Sequence, residues 1–448
     1  MSSLGTNYKN QSIFSRFKFL ILPLALLGMV GNTMTFLNKW CTGNTRWLII
    51  GLLATNFILK AKLFRYFDAK FALILFLYLM WCLLSAFWSD VPFLSFMKSG
   101  ILIILSVTLI RSGIEWIRIK SLYNALDYLW MLAFATLIAG FVGKYGYSQE
   151  MVNDFNGTSI AEFQGLVRGA NMFGALTAMS FPFFLWRTYL AFVDKKIYLF
   201  WFFLTVSCFL FLMLSFSRSA ILFFLGTFLF FLMSIDINKK FQLFLVVIII
   251  ALGTVIIFPT YINALADVVV THIYKGQTNY TRSLFSTRIT TWQQSLEGAE
   301  EGGWMGLGYG VSFGQTNFKL TEDLKSYLYG REKGNSQLGI MEETGKIGLI
   351  FYLFLLCGME AKLFKLFINA QNSDQRTLIG ILMGTFNGMI MHSLFEAWWS
   401  SPGSPESIYF WTLIGIILGT EIRIKNNKVE LNAIEIKTLR RNNLARGS

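Results

Sequence analysis

Charge is what this sequence has least of: 14% of its 448 residues are Asp, Glu, Lys or Arg, against roughly 25% in an ordinary soluble domain. A water-soluble fold is excluded by that shortage together with a hydrophobic content of 54%. Cysteine is scarce as well. Cys41, Cys82, Cys208 and Cys357 stand alone and mostly inside apolar runs, which excludes a disulfide framework or a paired metal-binding spacing. Histidine is limited to His272 and His392, too few for a histidine-rich metal centre. No Walker A motif occurs, which argues against ATP-driven transport.

What is abundant is apolar sequence in long blocks, with 17% aromatic residues. A helix of about 17 to 25 apolar residues crosses a hydrocarbon core of about 30 Å while satisfying its own backbone hydrogen bonds. Blocks bounded by charges and by Gly, Asn or Ser predict an all-α polytopic membrane protein. Its spans fall near 17–37, 45–59, 71–87, 93–110, 123–143, 169–190, 197–214, 219–235, 241–259, 345–367, 377–395 and 407–422. The first apolar run, Phe17 to Leu37, is long and lacks a small-residue cleavage site, so it reads as a span and not as a signal peptide. The expected organisation is one integral domain over 1–422, with a long extracytoplasmic loop at 260–334 and a basic cytoplasmic tail at 423–448.

The formal charge of +14 does not describe a nucleic-acid binder, because the basic residues are spread between apolar blocks and form no stripe. They obey the positive-inside rule instead. Lys60, Lys62, Arg65 and Lys70, then Arg111, Arg118 and Lys120, then Lys195, Lys196, Lys239 and Lys240 fall on one side, with Arg423 to Arg446. Both termini are therefore expected in the cytoplasm, and the loops 144–168 and 260–334 on the other face.

Three groups of residues on that outer face are placed for chemistry. The first is Arg168, Arg218 and Arg288. A guanidinium at a membrane edge costs free energy unless an anion, a carboxylate or water meets it, and arginine grips phosphate bidentately. The plain alternative is a side chain that snorkels to the interface for Arg218, and a solvated surface charge for Arg168 and Arg288, which lie in loops. The second is the run from Arg331 to Gly345, containing Glu342 and Glu343. Adjacent residues on a helix lie about 100° apart, so at most one carboxylate is expected to face a given cavity. A carboxylate in a membrane cavity serves as a base or an arginine partner; the alternative is a charged turn that caps a helix. The third is His392 and Glu396, four residues apart on one helical face. Such a pair could orient a proton acceptor or merely satisfy itself, and with no third ligand in view a metal is not expected. Gly306-Leu-Gly-Tyr-Gly310 lacks the strand and helix of a phosphate loop and reads as a turn.

Taken in order, these stretches resemble a known family. The stretch from Leu84 through Trp88-Ser89-Asp90 to Pro92, Arg168-Gly-Ala-Asn-Met-Phe-Gly, Ser-Phe-Ser-Arg218-Ser-Ala, Ser-Thr-Arg288 leading to Gly306–Gly310, and Asn335-Ser leading to Glu343-Thr-Gly-Lys-Ile-Gly-Leu look like the O-antigen ligase and O-antigen polymerase family over roughly residues 80–415. The resemblance implies a GT-C-like helical bundle and a membrane glycosyltransferase. Such enzymes move a glycan from undecaprenyl diphosphate to an acceptor hydroxyl on the periplasmic or outer face of the bacterial inner membrane. No cofactor is implied; the partners would be the lipid-linked donor, a glycan or lipid-linked acceptor and the bilayer. It also implies that Arg218 and Arg288, with Arg168, hold the donor diphosphate. Many ligases of the family carry a histidine just before the asparagine of the Asn335 motif, where this chain has Gly334. The resemblance therefore implies a polymerase of lipid-linked repeat units before a ligase, with His392, Glu342 or Glu343 as candidate catalytic groups. A lipid-linked glycan transporter is the alternative from another class. It requires charge at the membrane midplane, whereas the charges here gather at its edge.

Overall fold

The computed structural model describes residues 13–59, 64, 66–147, 161–236, 286–315 and 331–446. The expected span at 241–259, the loop segments 148–160, 260–285 and 316–330, and His272 lie outside the described residues. Helices dominate: α1 (Ile13–Val30), α2 (Gly43–Leu59), α3 (Ala69–Leu84), α4 (Pro92–Ile119) and α5 (Trp130–Phe141), followed by α6 (Ala170–Val193), α7 (Tyr198–Leu214) and α8 (Arg218–Ser234). After the gap come α9 (Ser286–Gly302), α10 (Ser336–Ile368), α11 (Ser373–Ser393) and α12 (Pro405–Arg446). Six helices are long and apolar enough to cross a membrane, and three more are apolar but shorter, among the described residues. The molecule is an integral membrane protein on this ground.

Two of the boundaries that differ from expectation concern basic residues. The span expected at 93–110 runs on to Ile119 because Arg111 does not end it; it is buried within the helix and paired with Glu115 at 2.8 Å, one turn further on. The helix expected to end at residue 422 continues to Arg446, so the basic segment prolongs a helix. The described residues are mostly helical, as expected, with one short hairpin beside the helices. Lys144–Tyr147 (β1) and Ala161–Gly165 (β2) pair antiparallel as a short hairpin. Lys-Tyr-Gly-Tyr and Ala-Glu-Phe-Gln-Gly are too short and too mixed in polarity to stand out in sequence. They are held because Leu166 and Arg168 donate backbone N–H groups to the carbonyls of Ala139 and Thr33.

Interior packing explains several glycines. Helices α8 and α11 lie antiparallel, with Gly380 against Ser234, Gly384 against Thr227 and Gly388 against Phe223. A β-carbon at any of these three would overlap the facing helix. One more turn of the same register brings residue 392 level with residue 219, which sets His392 at the end of the bundle where α8 begins. Helices α4 and α12 make a second close pair, with Gly113 and Gly415 at the crossing. At the same end as the start of α8, the turn after α3 meets the loop after α9. Tyr309 donates its N–H to Ser85 Oγ (2.8 Å) and Trp88 Nε1 donates to Met305 O (3.1 Å).

Candidate functional site

The loop 303–314 is shaped by glycine. Gly306, Gly308 and Gly310 have φ of +80°, +112° and +78°, a left-handed region in which other residues are strained. Space excludes side chains too: a β-carbon at Gly308 would overlap Ser89, and one at Gly310 would overlap the Lys98 stem. The run read as a turn is a turn, pressed on two sides by other elements.

Helix α10 breaks at Gly345 (φ +69°, ψ −173°), where the carbonyl of Trp304 occupies the place of a β-carbon. Residues 336–344 therefore form a separate short helix ahead of the apolar part. Asn335 caps it, its Oδ1 accepting from Leu338 N (2.9 Å), as asparagine does at helix starts.

Glu342 and Glu343 lie on this short helix and are 0% and 2% exposed. The expectation that at most one would face a given cavity is corrected, because both carboxylates reach the glycine loop. Glu343 accepts from Gly310 N (2.8 Å) and pairs with buried Lys333. Glu342 accepts from Phe313 N (2.7 Å) and pairs with Arg331 (2.8 Å). The sequence separation of ten or so residues looks too great for one cluster, but the loop wraps around the helix end and supplies donors to both. Lys98 closes the cluster by donating to Gly310 O (2.6 Å). Glu342, Glu343 and Lys333 thus each have an opposite charge and a backbone partner, the condition for carrying a buried charge at tolerable cost.

A second cluster lies beside the first. Arg288 and Trp292 project from α9, and Trp292 Nε1 donates to Gly334 O at 3.0 Å. Arg288 Nη2 binds Glu396 Oε1 at 2.6 Å, while the contacts of its Nη1 among the described residues are long, 3.5 Å to Gly334 O and 3.9 Å to Glu332. Glu396 lies just beyond the end of α11, and its position is fixed by main-chain bonds. Its N–H donates to His392 O (3.1 Å), and its carbonyl accepts from Ser336 Oγ (2.8 Å). Asn335 Nδ2 adds a bond to Leu394 O (2.9 Å). Expected as a pair, His392 and Glu396 are near each other through the backbone, but the carboxylate turns to Arg288. His392 is 2% exposed, its ring meets Phe223 with centroids 6.4 Å apart, and its Nδ1 has no hydrogen-bond partner among the described residues.

Arg218 is the first residue of α8, half-buried, following Ser217 in extended conformation and Phe216 at φ +53°. The helix register places it at the level of His392. A cation at a helix start adds to the positive end of the helix dipole, so the pair of features attracts an anion. Arg168 lies at the same end, since Gly174, in the first turns of α6, packs on Ser215 and Ser217. Its guanidinium is exposed and binds Asn38 Oδ1 (2.7 Å). Gly334, at φ +64°, has Arg288 Nη1 and Trp292 Nε1 each 3.5 Å from where a β-carbon would stand.

Sequence reasoning left out Arg46, at the start of α2, which donates to the carbonyl of Gly403 in the turn between α11 and α12. Its signal was an arginine beside Trp47 at the outer end of a span, as with Arg218. Lys98 gave no such signal, because its partner lies in the glycine loop; Arg331 and Lys333 stood in the run singled out from the sequence, but their pairing with Glu342 and Glu343 was not read from it.

Residues 202–353 match the family model described as O-antigen ligase, a stretch running from α7 through the Glu342 and Glu343 helix and containing Arg218, Arg288 and Gly334. The resemblance read from the sequence motifs is borne out by that match, which supports a function of the O-antigen ligase or polymerase type. No curated protein matches the chain.

Proposed function

We propose that this protein polymerises undecaprenyl-diphosphate-linked oligosaccharide repeat units into a surface polysaccharide, whether O-antigen, capsule or exopolysaccharide. The observation that carries the proposal is the placing of Arg218 and Arg288 at one end of the helical bundle, within the stretch that matches the family. In this reading that end faces the periplasm or cell exterior, and both termini face the cytoplasm of the inner membrane. Arg288 presents its loosely held Nη1 to the diphosphate, and Arg218 presents a guanidinium at a helix start. Together they offset the charge that grows on the leaving diphosphate, which accounts for roughly 10²–10³ in rate per well-placed donor. Arg168, tied to Asn38, holds the rim of the site and contributes less. Glu342 and Glu343 serve by fixing the glycine loop and the short helix that carries Asn335. His392 supports the turn on which Glu396 stands.

A second reading, ligation of finished polymer to lipid A-core or protein, is favoured by the description of the matching family. The glycine at 334 favours the first, since that position abuts Arg288 and carries no side chain. The glycan size profile of the native host separates them. Deletion of the gene leaves single repeat units if the protein is a polymerase, and long chains retained on the lipid carrier if it is a ligase. Arg218→Lys and Arg288→Lys should each fail to restore long chains, because an ammonium cannot make the bidentate contact. Full restoration by both would refute the diphosphate role.

A further inference from the structure

Three carboxylates in the region are closed to a substrate: Glu342 and Glu343 by burial and paired bonds, and Glu406, in the first turn of α12, by burial. His392 is equally enclosed. Glu396 is different, with 26% of its side chain exposed and one oxygen on Arg288. We infer that Glu396 is the proton acceptor for the incoming hydroxyl, held beside the donor's phosphate by its contact with Arg288. The inference rests on the diphosphate reading above and names the group that reading lacks.

The geometry supplies the argument. Arg288 commits Nη2 to Glu396 and leaves Nη1 with contacts of 3.5 and 3.9 Å. A phosphate taking Nη1 therefore arrives next to the carboxylate without having to displace it. The arriving negative charge raises the carboxylate's affinity for a proton. A phosphate charge beside Glu396 therefore makes it a stronger base than it is before the donor binds, which ties proton removal to a loaded site. Its backbone does not move freely, being held from both sides by His392 O and Ser336 Oγ. Such fixed placement is what makes a general base effective. The acceptor hydroxyl gives its proton to Glu396 as its oxygen bonds to the anomeric carbon. The bond from that carbon to the diphosphate oxygen breaks, and its electron pair stays on the diphosphate, facing Arg288 and Arg218. The proton then leaves Glu396 through its exposed edge to solvent.

The test uses the full-length protein in two assays. One is the rate of chain growth in membranes of the native host carrying each variant. The other is binding of undecaprenyl diphosphate to purified protein in nanodiscs, followed by tryptophan fluorescence. In Glu396→Gln the amide oxygen still accepts from Arg288, so placement survives while basicity is lost. The expected result is a rate lower by about 10²–10⁴ with undecaprenyl diphosphate affinity within about threefold of wild type. Glu332→Gln, whose carboxylate is 78% exposed and 3.9 Å from Arg288, should retain the rate. A Glu396→Gln rate close to wild type overturns the inference, as does loss of the rate in Glu332→Gln alone. Loss of binding together with rate in Glu396→Gln also overturns it, by making Glu396 a support for Arg288. Failure of the wild type to bind undecaprenyl diphosphate removes the diphosphate reading itself, and the inference with it. Failure of Glu396→Gln to lose rate leaves that reading standing.

Discussion

Replacing Glu343 by alanine strands Lys333, a buried lysine whose closest carboxylate partner is Glu343. It also removes the acceptor of the Gly310 N–H. Breaking a buried ion pair by deleting one member costs about 3–5 kcal/mol, since the other charge stays behind uncompensated. Here Lys333 keeps the Val311 carbonyl at 3.1 Å and Glu342 at 3.8 Å, which places the expected cost near the lower end, about 3 kcal/mol. Adding Lys333→Met removes the stranded charge and should restore part of that loss. The remaining deficit is then mainly the unpaired Gly310 N–H, about 1–3 kcal/mol. Reversible unfolding of the detergent-solubilised protein, followed by tryptophan fluorescence, measures both variants. A single variant within about 1 kcal/mol of wild type, or a double variant less stable than the single, would refute the account of a charge-balanced clamp.

Gly308→Ala should destabilise the protein by several kcal/mol at about the scale of overpacking plus strain, and adding Ser89→Gly should relieve part of it by removing the overlapping hydroxyl; absence of relief in thermal unfolding contradicts the stated contact. Gly334→His should fold, because the nearest atom to its β-carbon, Thr291 Cγ2, is 3.3 Å away and histidine tolerates left-handed backbone at a cost of about 1–2 kcal/mol; loss of folded protein on size exclusion contradicts it. Burial opposes ionisation of Asp68, yet Lys362 outweighs it and holds the carboxyl below its usual range. A lowered folded value means that its contribution is present above the unfolded value and is lost as pH falls through the folded one. Acid unfolding should therefore show a small loss in that window that Asp68→Asn removes, and an unchanged acid limb in Asp68→Asn would contradict the pairing.

Much of the bundle was legible because membrane helices announce themselves locally. A run such as Leu102 to Ile110 needs no distant partner to read as helix, and the boundaries of α6, α7 and α8 fall within a few residues of the expected ones. The break at Gly345 was not legible, since the apolar run after it and the polar run before it join smoothly in sequence. It exists because the Trp304 carbonyl, forty-one positions away, takes the place of a side chain. The same holds at the site. Arg218 and Glu396 were visible as unusual residues at an apolar edge and Arg288 as an arginine of the long loop, but the bond from Arg288 to Glu396 spans 108 positions and no periodicity encodes it. The adjacent glutamates misled for a related reason: helix geometry separates their faces, and only the folded glycine loop brings donors to both.

Burial sorts the carboxylates at this end of the molecule by what each can do. Glu342 and Glu343 combine almost no exposure with an opposite charge and a backbone donor apiece, and a group so fully committed would have to break a 2.7–2.8 Å bond before accepting anything else. That energy is spent on shape, holding the loop against Ser85 and Ser89 so that the helix from Ser336 starts where it does. The same start places Ser336 Oγ under the Glu396 carbonyl and Asn335 under Leu394. The buried pair thus acts on the exposed carboxylate at one remove. On the proposed polymerase reading, loss of the clamp in Glu343→Ala should lower chain growth through the position of Glu396, whereas Glu396→Gln should lower it with the clamp and the unfolding midpoint unchanged. Two variants with the same loss of product, of which only Glu343→Ala loses stability, would show that support and chemistry are divided between the two clusters; equal destabilisation of both would mean that they are one.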